Sequence, residues 1–315
     1  MSQNVVMSVK KLTKKFGDFT AVNNLNFDIY KGEVLGFLGP NGAGKTTTIN
    51  MMCGLLKPDC GDILINGKST RNDYKHVRHL IGLCPQEIII WDKLTCLEQL
   101  EFAGQIYGMS TKKTRESGLE LLEDMGLTEK SNKLAKTLSG GMQRRLNIAL
   151  ALVHQPEILI LDEPQAGLDP QSRVLIRDYI RKISKTITII LTTHDMEEAE
   201  KLSNRVAIID RGSLLVLDTP DALLNDVEKG DALQIKISES AQEQVKQAIL
   251  KFPSKILKAN YLNGTINIVS SDVLELLPEI SNILKSNLIK IEDIKIHKKT
   301  LEDVFISLTG RGLRE

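Results

Sequence analysis

The chain has 315 residues, which at ~150 residues per domain suggests about two domains, each able to bury a core. Its 41 Lys and Arg against 40 Asp and Glu leave a formal net charge of +1, so a general electrostatic affinity for nucleic acid is not indicated. Apolar runs are short, such as Ile148 to Val153, well below the roughly 18–20 residues that span a bilayer, and the start M-S-Q-N-V-V-M-S lacks a signal-peptide pattern, so the expectation is a soluble, cytosolic chain that reaches a membrane through a partner.

In chain order, residues 5 to 30 alternate apolar and polar with β-branched enrichment, which predicts two or three strands around the turn Gly17-Asp18. Phe16 stands just before that turn, where its ring can stack on a base or pack in the core; both readings stand. Lys31-Gly32-Glu33 turns the chain into an apolar strand, Val34 to Leu38, followed by G-P-N-G-A-G-K-T from Gly39 to Thr46 and a helix-compatible run from Thr46 to Met52. Gly39, Gly42 and Gly44 let the backbone bend tightly with several N–H groups pointing inward, and those donors beside a helix N-terminus suit the phosphates of a nucleotide. Lys45 can reach the β- and γ-phosphates, and the Thr46 hydroxyl can ligate Mg²⁺.

The helix ends near Gly54, with Pro58 beyond it, and Asp62 to Ile65 with Asn66-Gly67 reads as a hairpin. Leu80 to Pro85 is an apolar strand with Gln86 at its end, a residue equally compatible with a Mg²⁺ or water ligand and with an ordinary surface amide. The run Ile88-Ile89-Ile90-Trp91, part core and part exposed patch, contains the only tryptophan. Thr95 and Glu98 form a capping box for a helix running to Gly108, and a second helix, about Lys112 to Met125, stops at Gly126. Residues 87 to 155 therefore read as a mostly helical subdomain. None of the cysteines, Cys53, Cys60, Cys84 and Cys96, forms a C-x-x-C pair, and they read as reduced thiols.

Leu138-Ser139-Gly140-Gly141-Met142-Gln143 places a hydroxyl and two glycines at the start of a helix, Met142 to His154, as in a second anion site or a plain helix cap. Ile158 to Leu161 reads as a buried parallel strand ending in Asp162 and Glu163, which suit a Mg²⁺ ligand and a base for the attacking water. Pro164 to Asp169 is a tight loop, and a further buried strand, Thr186 to Leu191, ends in Thr192-Thr193-His194. His194 can serve a γ-phosphate and the catalytic water or be structural. Met196 to Leu202 is a helix, and Arg205 to Asp210 with Ser213 to Asp218 is a hairpin. The pattern changes around Glu228 to Gly230, and the order β-α-β-β-α-β after it, with a hairpin at Asn263-Gly264 and a strand from Leu288 to Ile296, predicts a small ferredoxin-like module.

Taken together, these motifs resemble the nucleotide-binding subunit of an ABC transporter over roughly residues 5 to 225. The resemblance implies an α/β P-loop NTPase core with an antiparallel β subdomain and a helical subdomain (about 87–155), spanning 1–229, and a C-terminal accessory α+β domain, 230–315. It implies nucleotide binding by Gly39, Pro40, Asn41, Gly42, Ala43, Gly44, Lys45, Thr46 and Thr47, with Phe16 stacking on adenine where the family more often has tyrosine. Thr46, Gln86 and Asp162 would hold Mg²⁺, Glu163 would be the base and His194 the switch histidine. Ser139, Gly140, Gly141 and Gln143 would be the signature facing the ATP of an opposite protomer, and Asp169 the D-loop aspartate. Ile90 and Trp91 would couple to a membrane partner. The tail from Thr300 to Glu315 is similar to that of the daunorubicin-resistance type of exporter, whose branch handles drugs, antibiotics, lipids or polysaccharides; Gln165 departs from the family's usual threonine.

The resemblance further implies an ATPase that sandwiches two ATPs between two such subunits, itself or a homologue, beneath a membrane permease at the inner face of the cell membrane, without nucleic acid. The alternative of a different class is an ABC-type ATPase working on ribosomes or DNA. The single cassette argues against the first, and the lack of coiled-coil or zinc insertions against the second. A module holding a purely structural nucleotide fits poorly with a complete set of metal, base and switch residues.

Overall fold

The computed structural model describes residues 4–226, 231–238, 242–253, 255–262, 264–270, 273–297 and 299–310. They fall into two compact units, divided between Pro220 and Asp221.

The first unit opens with two long strands, β1 (Val5–Phe16) and β2 (Phe19–Tyr30), paired antiparallel through the Gly17-Asp18 turn. Then come β3 (Val34–Leu38) and α1 (Lys45–Met52). The hairpin β4 (Cys60–Ile65) and β5 (Lys68–Ser69) turns through Asn66 and Gly67, both at positive φ, as a two-residue hairpin requires. These strands form an antiparallel sheet in the order β2-β1-β4-β5. A short helix, α2 (Tyr74–Val77), leads to β6 (Ile81–Cys84). The helices α3 (Cys96–Ile106), α4 (Thr111–Asp124) and α5 (Gly140–Leu152) follow, the first with the full Thr95–Glu98 capping box.

The chain then alternates: β7 (Ile158–Asp162), α6 (Pro170–Ile183), β8 (Thr188–Thr193), α7 (Met196–Leu202), β9 (Arg205–Asp210), β10 (Ser213–Asp218) and α8 (Pro220–Asp226). The second sheet has the order β10-β9-β3-β8-β7-β6, parallel except for β10. Its central strands are apolar along their length because both faces are covered. In β7, Ile158 and Ile160 pack with α1 and the antiparallel sheet, while Leu159 and Leu161 pack with α5 and α6. The period-2 alternation of strand side chains thus feeds two cores from one run.

The structure adds an element and moves two strand starts. Residues 170–183 form α6, whose start carries the Asp169 cap and Pro170 that favour a helix. The strand expected at Thr186–Leu191 is Thr188–Thr193, because Thr186 and Ile187 still bond back to Ile183 at the end of α6. The strand expected from Leu288 starts at Ile291, since Leu288 sits at φ 59° in a turn after the preceding helix.

The second unit contains α8 from Asp221 on, β11 (Asp231–Ile237), α9 (Gln242–Ile249), β12 (Ile256–Leu262), β13 (Thr265–Ser270), α10 (Val273–Ser286), β14 (Ile291–His297) and α11 (Leu301–Thr309). Its antiparallel sheet, β12-β13-β11-β14, has the ferredoxin-like strand order, with Ile266 and Ile268 packed against Val245, Ile280 and Leu284 of α9 and α10. The change of pattern at Glu228–Gly230, Asn263 of the expected hairpin and the tail beyond Gly310 lie outside the described residues.

Candidate active site

The glycine-rich turn sits between the C-terminal end of β3 and the start of α1, at an edge where β7 and β8 also end. Two of its glycines are required by space. A Cβ on Gly39 would lie 2.3 Å from the Ile209 carbonyl oxygen, and one on Gly44 would lie 2.5 Å from that of Ala21. Gly44 also has φ 100° as the residue before α1, and Gly42 has φ 80° but open space around it. The loop is thus a backbone cradle, of the kind that presents N–H groups to phosphate.

Lys45 is buried, and its ammonium donates to the carbonyls of Gly39 (2.7 Å) and Pro40 (3.1 Å). Burial lowers its pKa, while the carboxylates of Glu163 and Asp162 oppose that shift. The loop's own carbonyls are thus hydrogen-bond partners of the cation.

Asp162, at the end of β7, links two elements. Its Oδ2 accepts from the Thr46 hydroxyl at 3.3 Å, and its Oδ1 accepts a short hydrogen bond from the Thr192 hydroxyl. Glu163 follows at φ 46°, a left-handed conformation uncommon for a side chain with a Cβ. Its N–H donates to Thr192 Oγ1 at 3.0 Å, its Oε1 lies 3.1 Å from His194 Nδ1, and its Oε2 accepts from Gln86 Nε2 at 3.4 Å. Glu163 is buried and His194 is exposed, so the pair forms one wall of an open site.

A hydroxyl, a carboxylate and an amide oxygen, from Thr46, Asp162 and Gln86, are hard donors that fit Mg²⁺ when phosphate oxygens complete the shell. Among the described residues no group of three His, Cys, Asp or Glu could hold a metal without such help.

Phe16 is 51% exposed at the end of β1, with Lys14 Nζ 5.4 Å from its ring centroid, so of its two readings packing in the core is excluded. The P-loop is tied to the same hairpin, since Gly212 N donates to Ala43 O and Asn23 N to Gly212 O.

Ser139 caps α5 through Met142 N at 3.4 Å, so the cap reading is present. Gly140 faces open space, whereas Gly141 is closed off by Ser172, whose Oγ would lie 2.3 Å from an added Cβ. Asp169 caps α6 by accepting from Ser172 N at 2.9 Å. Gln143 is half-buried, its Nε2 3.5 Å from Ala135 O.

Of the apolar run, Ile88, Ile89 and Trp91 are exposed while Ile90 packs against the core. Trp91 lies edge-on to Phe102, centroids 5.2 Å apart, and its backbone N–H donates to Oε1 of the buried Gln99. Leu83, Pro85, Ile89, Trp91, Ala103 and Ile106 line part of a groove of about 350 Å³.

Sequence reasoning passes over Arg144 and Thr192. Arg144 is 2% exposed and bonds main-chain carbonyls at both strand ends, and the Thr192 hydroxyl joins Asp162 to the Glu163 backbone. The available signal for Arg144 is a charged residue three positions before Asn147 on a mostly apolar helix.

A family model for ABC transporters matches residues 22–166. The Nod factor export ATP-binding protein I of Burkholderia lata is 36% identical over 97% of this chain and 97% of its own length. The daunorubicin resistance ATP-binding protein DrrA2 of Streptomyces coeruleorubidus is 33% identical over 95% of this chain and 93% of its own. Among solved structures, the dimeric post-hydrolysis state of the ATP-binding cassette MJ0796 with ADP and Pi has a TM-score of 0.62 at 29% identity, covering 68% of this chain and 98% of that one.

Proposed function

The chain belongs to the ABC transporter family as an ATP-binding, ATP-hydrolysing subunit, and from that premise we propose that it closes as a dimer around ATP to power a membrane-embedded exporter of drug, antibiotic, lipid or polysaccharide-like cargo. The observation that carries this reading is the convergence of Lys45, Thr46, Gln86, Asp162, Glu163 and His194 on one sheet edge. Residues 1–229 act as the ATP-binding domain, and 230–315 as an accessory domain.

Gly39 to Thr47 hold the phosphates and Phe16 the adenine. Glu163 takes the proton from the attacking water, and His194, bonded to that carboxylate, holds it in place. Thr46, Asp162 and Gln86 would hold Mg²⁺, which supplies positive charge beside the phosphate oxygens when bound. Ser139, Gly140, Gly141 and Gln143 complete the second protomer's site; the open space at Gly140 supports this. Asp169 stands beside them through Ser172.

Among the described residues no helix is long and apolar enough to cross a membrane, and the partner proposed for transport is a membrane-embedded permease. The groove lined by Ile89 and Trp91 suits an apolar helical segment of that permease at the inner membrane face, and the exposure of those two side chains supports this, while Ile90 packs on the core. The test is purification of the tagged chain from native membranes in detergent. A stoichiometric polytopic membrane protein, lost with Ile89→Asp, is expected; recovery of ribosomal proteins alone would overturn the transport reading.

A further inference from the structure

We propose that Arg144 is a positioning residue for hydrolysis, fixing the backbone from which Glu163 and Gln86 reach the reacting water; the proposal rests on the reading of Glu163 as base. Arg144 Nε donates to Pro164 O at 3.0 Å, Nη2 to Asp162 O at 2.7 Å and to Glu163 O at 2.9 Å, and Nη1 to Gln86 O at 3.1 Å and to Pro85 O. Every one of these acceptors is a main-chain carbonyl just past the end of β6 or at the end of β7 and the turn that follows.

A buried cation is costly unless it is hydrogen-bonded, and here carbonyl dipoles from two strand ends take the place of water. The arrangement is specific to guanidinium. Its five N–H donors lie in a planar fork, whereas an ammonium has three donors around one point.

What the fork holds is the uncommon part of the site. Glu163 is at φ 46°, a left-handed conformation that is unfavourable for a residue with a Cβ. Arg144 bonds the carbonyl before Glu163 and the carbonyl of Glu163 itself, while Thr192 takes the Glu163 N–H. The same guanidinium holds the carbonyl of Gln86, whose side chain meets the Glu163 carboxylate. One turn along α5, Asn147 accepts from Ile89 N at 3.3 Å and donates to Glu87 O at 3.4 Å, continuing the grip on that segment. The helix that starts with Ser139, Gly140 and Gly141 therefore carries the clamp for the carboxylate of its own protomer.

The test is a double-mutant cycle on the full chain with Arg144→Lys and Glu163→Gln. Arg144→Lys is expected to lower kcat at least about tenfold with KM for ATP within about twofold, and to lower it no further when Glu163 is already Gln. The double variant is expected to form the ATP-trapped dimer in the yield of Glu163→Gln alone, a readout that general loss of structure would reduce. Wild-type kcat in Arg144→Lys, or a loss that adds fully to that of Glu163→Gln, overturns the proposal. If Arg144→Lys does not fold, Arg144→Gln takes its place in the cycle: a kcat loss that vanishes beside Glu163→Gln supports the role, and wild-type kcat or a fully additive loss overturns it. Wild-type turnover in Glu163→Gln by itself removes the base assignment, a failure read on a different variant, and takes the Arg144 role with it.

Discussion

His194 Nδ1 lies 3.1 Å from Glu163 Oε1, pairing the exposed residue just past the end of β8 with the buried residue just past the end of β7. The imidazole fixes one carboxylate oxygen and Gln86 contacts the other. His194→Ala leaves the core untouched, because the ring is largely exposed. We expect kcat to fall roughly 10²-fold with Tm unchanged, checked by steady-state ATPase assay and thermal melting.

Glu198 has buried surroundings at the foot of the same histidine. Its Oε2 accepts from Thr193 Oγ1 at 2.7 Å, and its Oε1 has no hydrogen-bond partner. Burial pushes its pKa up from 4.5 to about 7, helped by Asp195 and opposed by the Thr193 bond, Arg173 and His194. A carboxyl with a raised folded pKa stays protonated in the native state while the unfolded chain ionises. Its contribution to stability is present below about pH 4.5 and is lost as pH rises towards 7, by at most about 3 kcal/mol. Melting curves of wild type and Glu198→Gln should diverge over that window, the variant gaining relative stability at pH 8.

The two loop glycines, Gly42 and Gly44, separate conformation from space. Gly44→Ala combines φ 100° with a 2.5 Å approach to Ala21 O, whereas Gly42→Ala meets only the strain of φ 80°. Gly42→Ala should cost about 1 kcal/mol in denaturant unfolding, and Gly44→Ala clearly more, with loss of nucleotide binding in a titration with labelled ATP.

Trp91 is 40% exposed and its ring rests against Phe102 rather than against the nucleotide site. Trp91→Ala should keep basal ATPase in the isolated subunit and uncouple transport in vesicles containing the permease. A large loss of basal activity would give the ring a core role instead.

The two-sided burial of β3, β7 and β8 makes them legible as apolar runs, and the glycines, Asp162, Glu163 and His194 are legible because they follow those runs directly. The α6 helix is harder to see although Asp169 and Pro170 announce it, since only Ile176, Tyr179 and Ile180 along it are buried and its apolar stripe is correspondingly thin. Thr188 replaces Thr186 as a strand start because the end of α6 claims Thr186, a competition between elements that local pattern does not reveal. Arg144 and Thr192 act only through groups brought together by the sheet: the guanidinium joins residues 85–86 to 162–164, and the hydroxyl joins Asp162 to Glu163. Nothing in their own neighbourhood of sequence carries that information.

The ATP-driven dimer is tested most directly by light scattering of Glu163→Gln on a sizing column, with ATP and with ADP. A doubling of mass with ATP and a monomer with ADP is predicted, with turnover down roughly 10²-fold or more. A monomer at saturating ATP, or wild-type turnover in the variant, would contradict it.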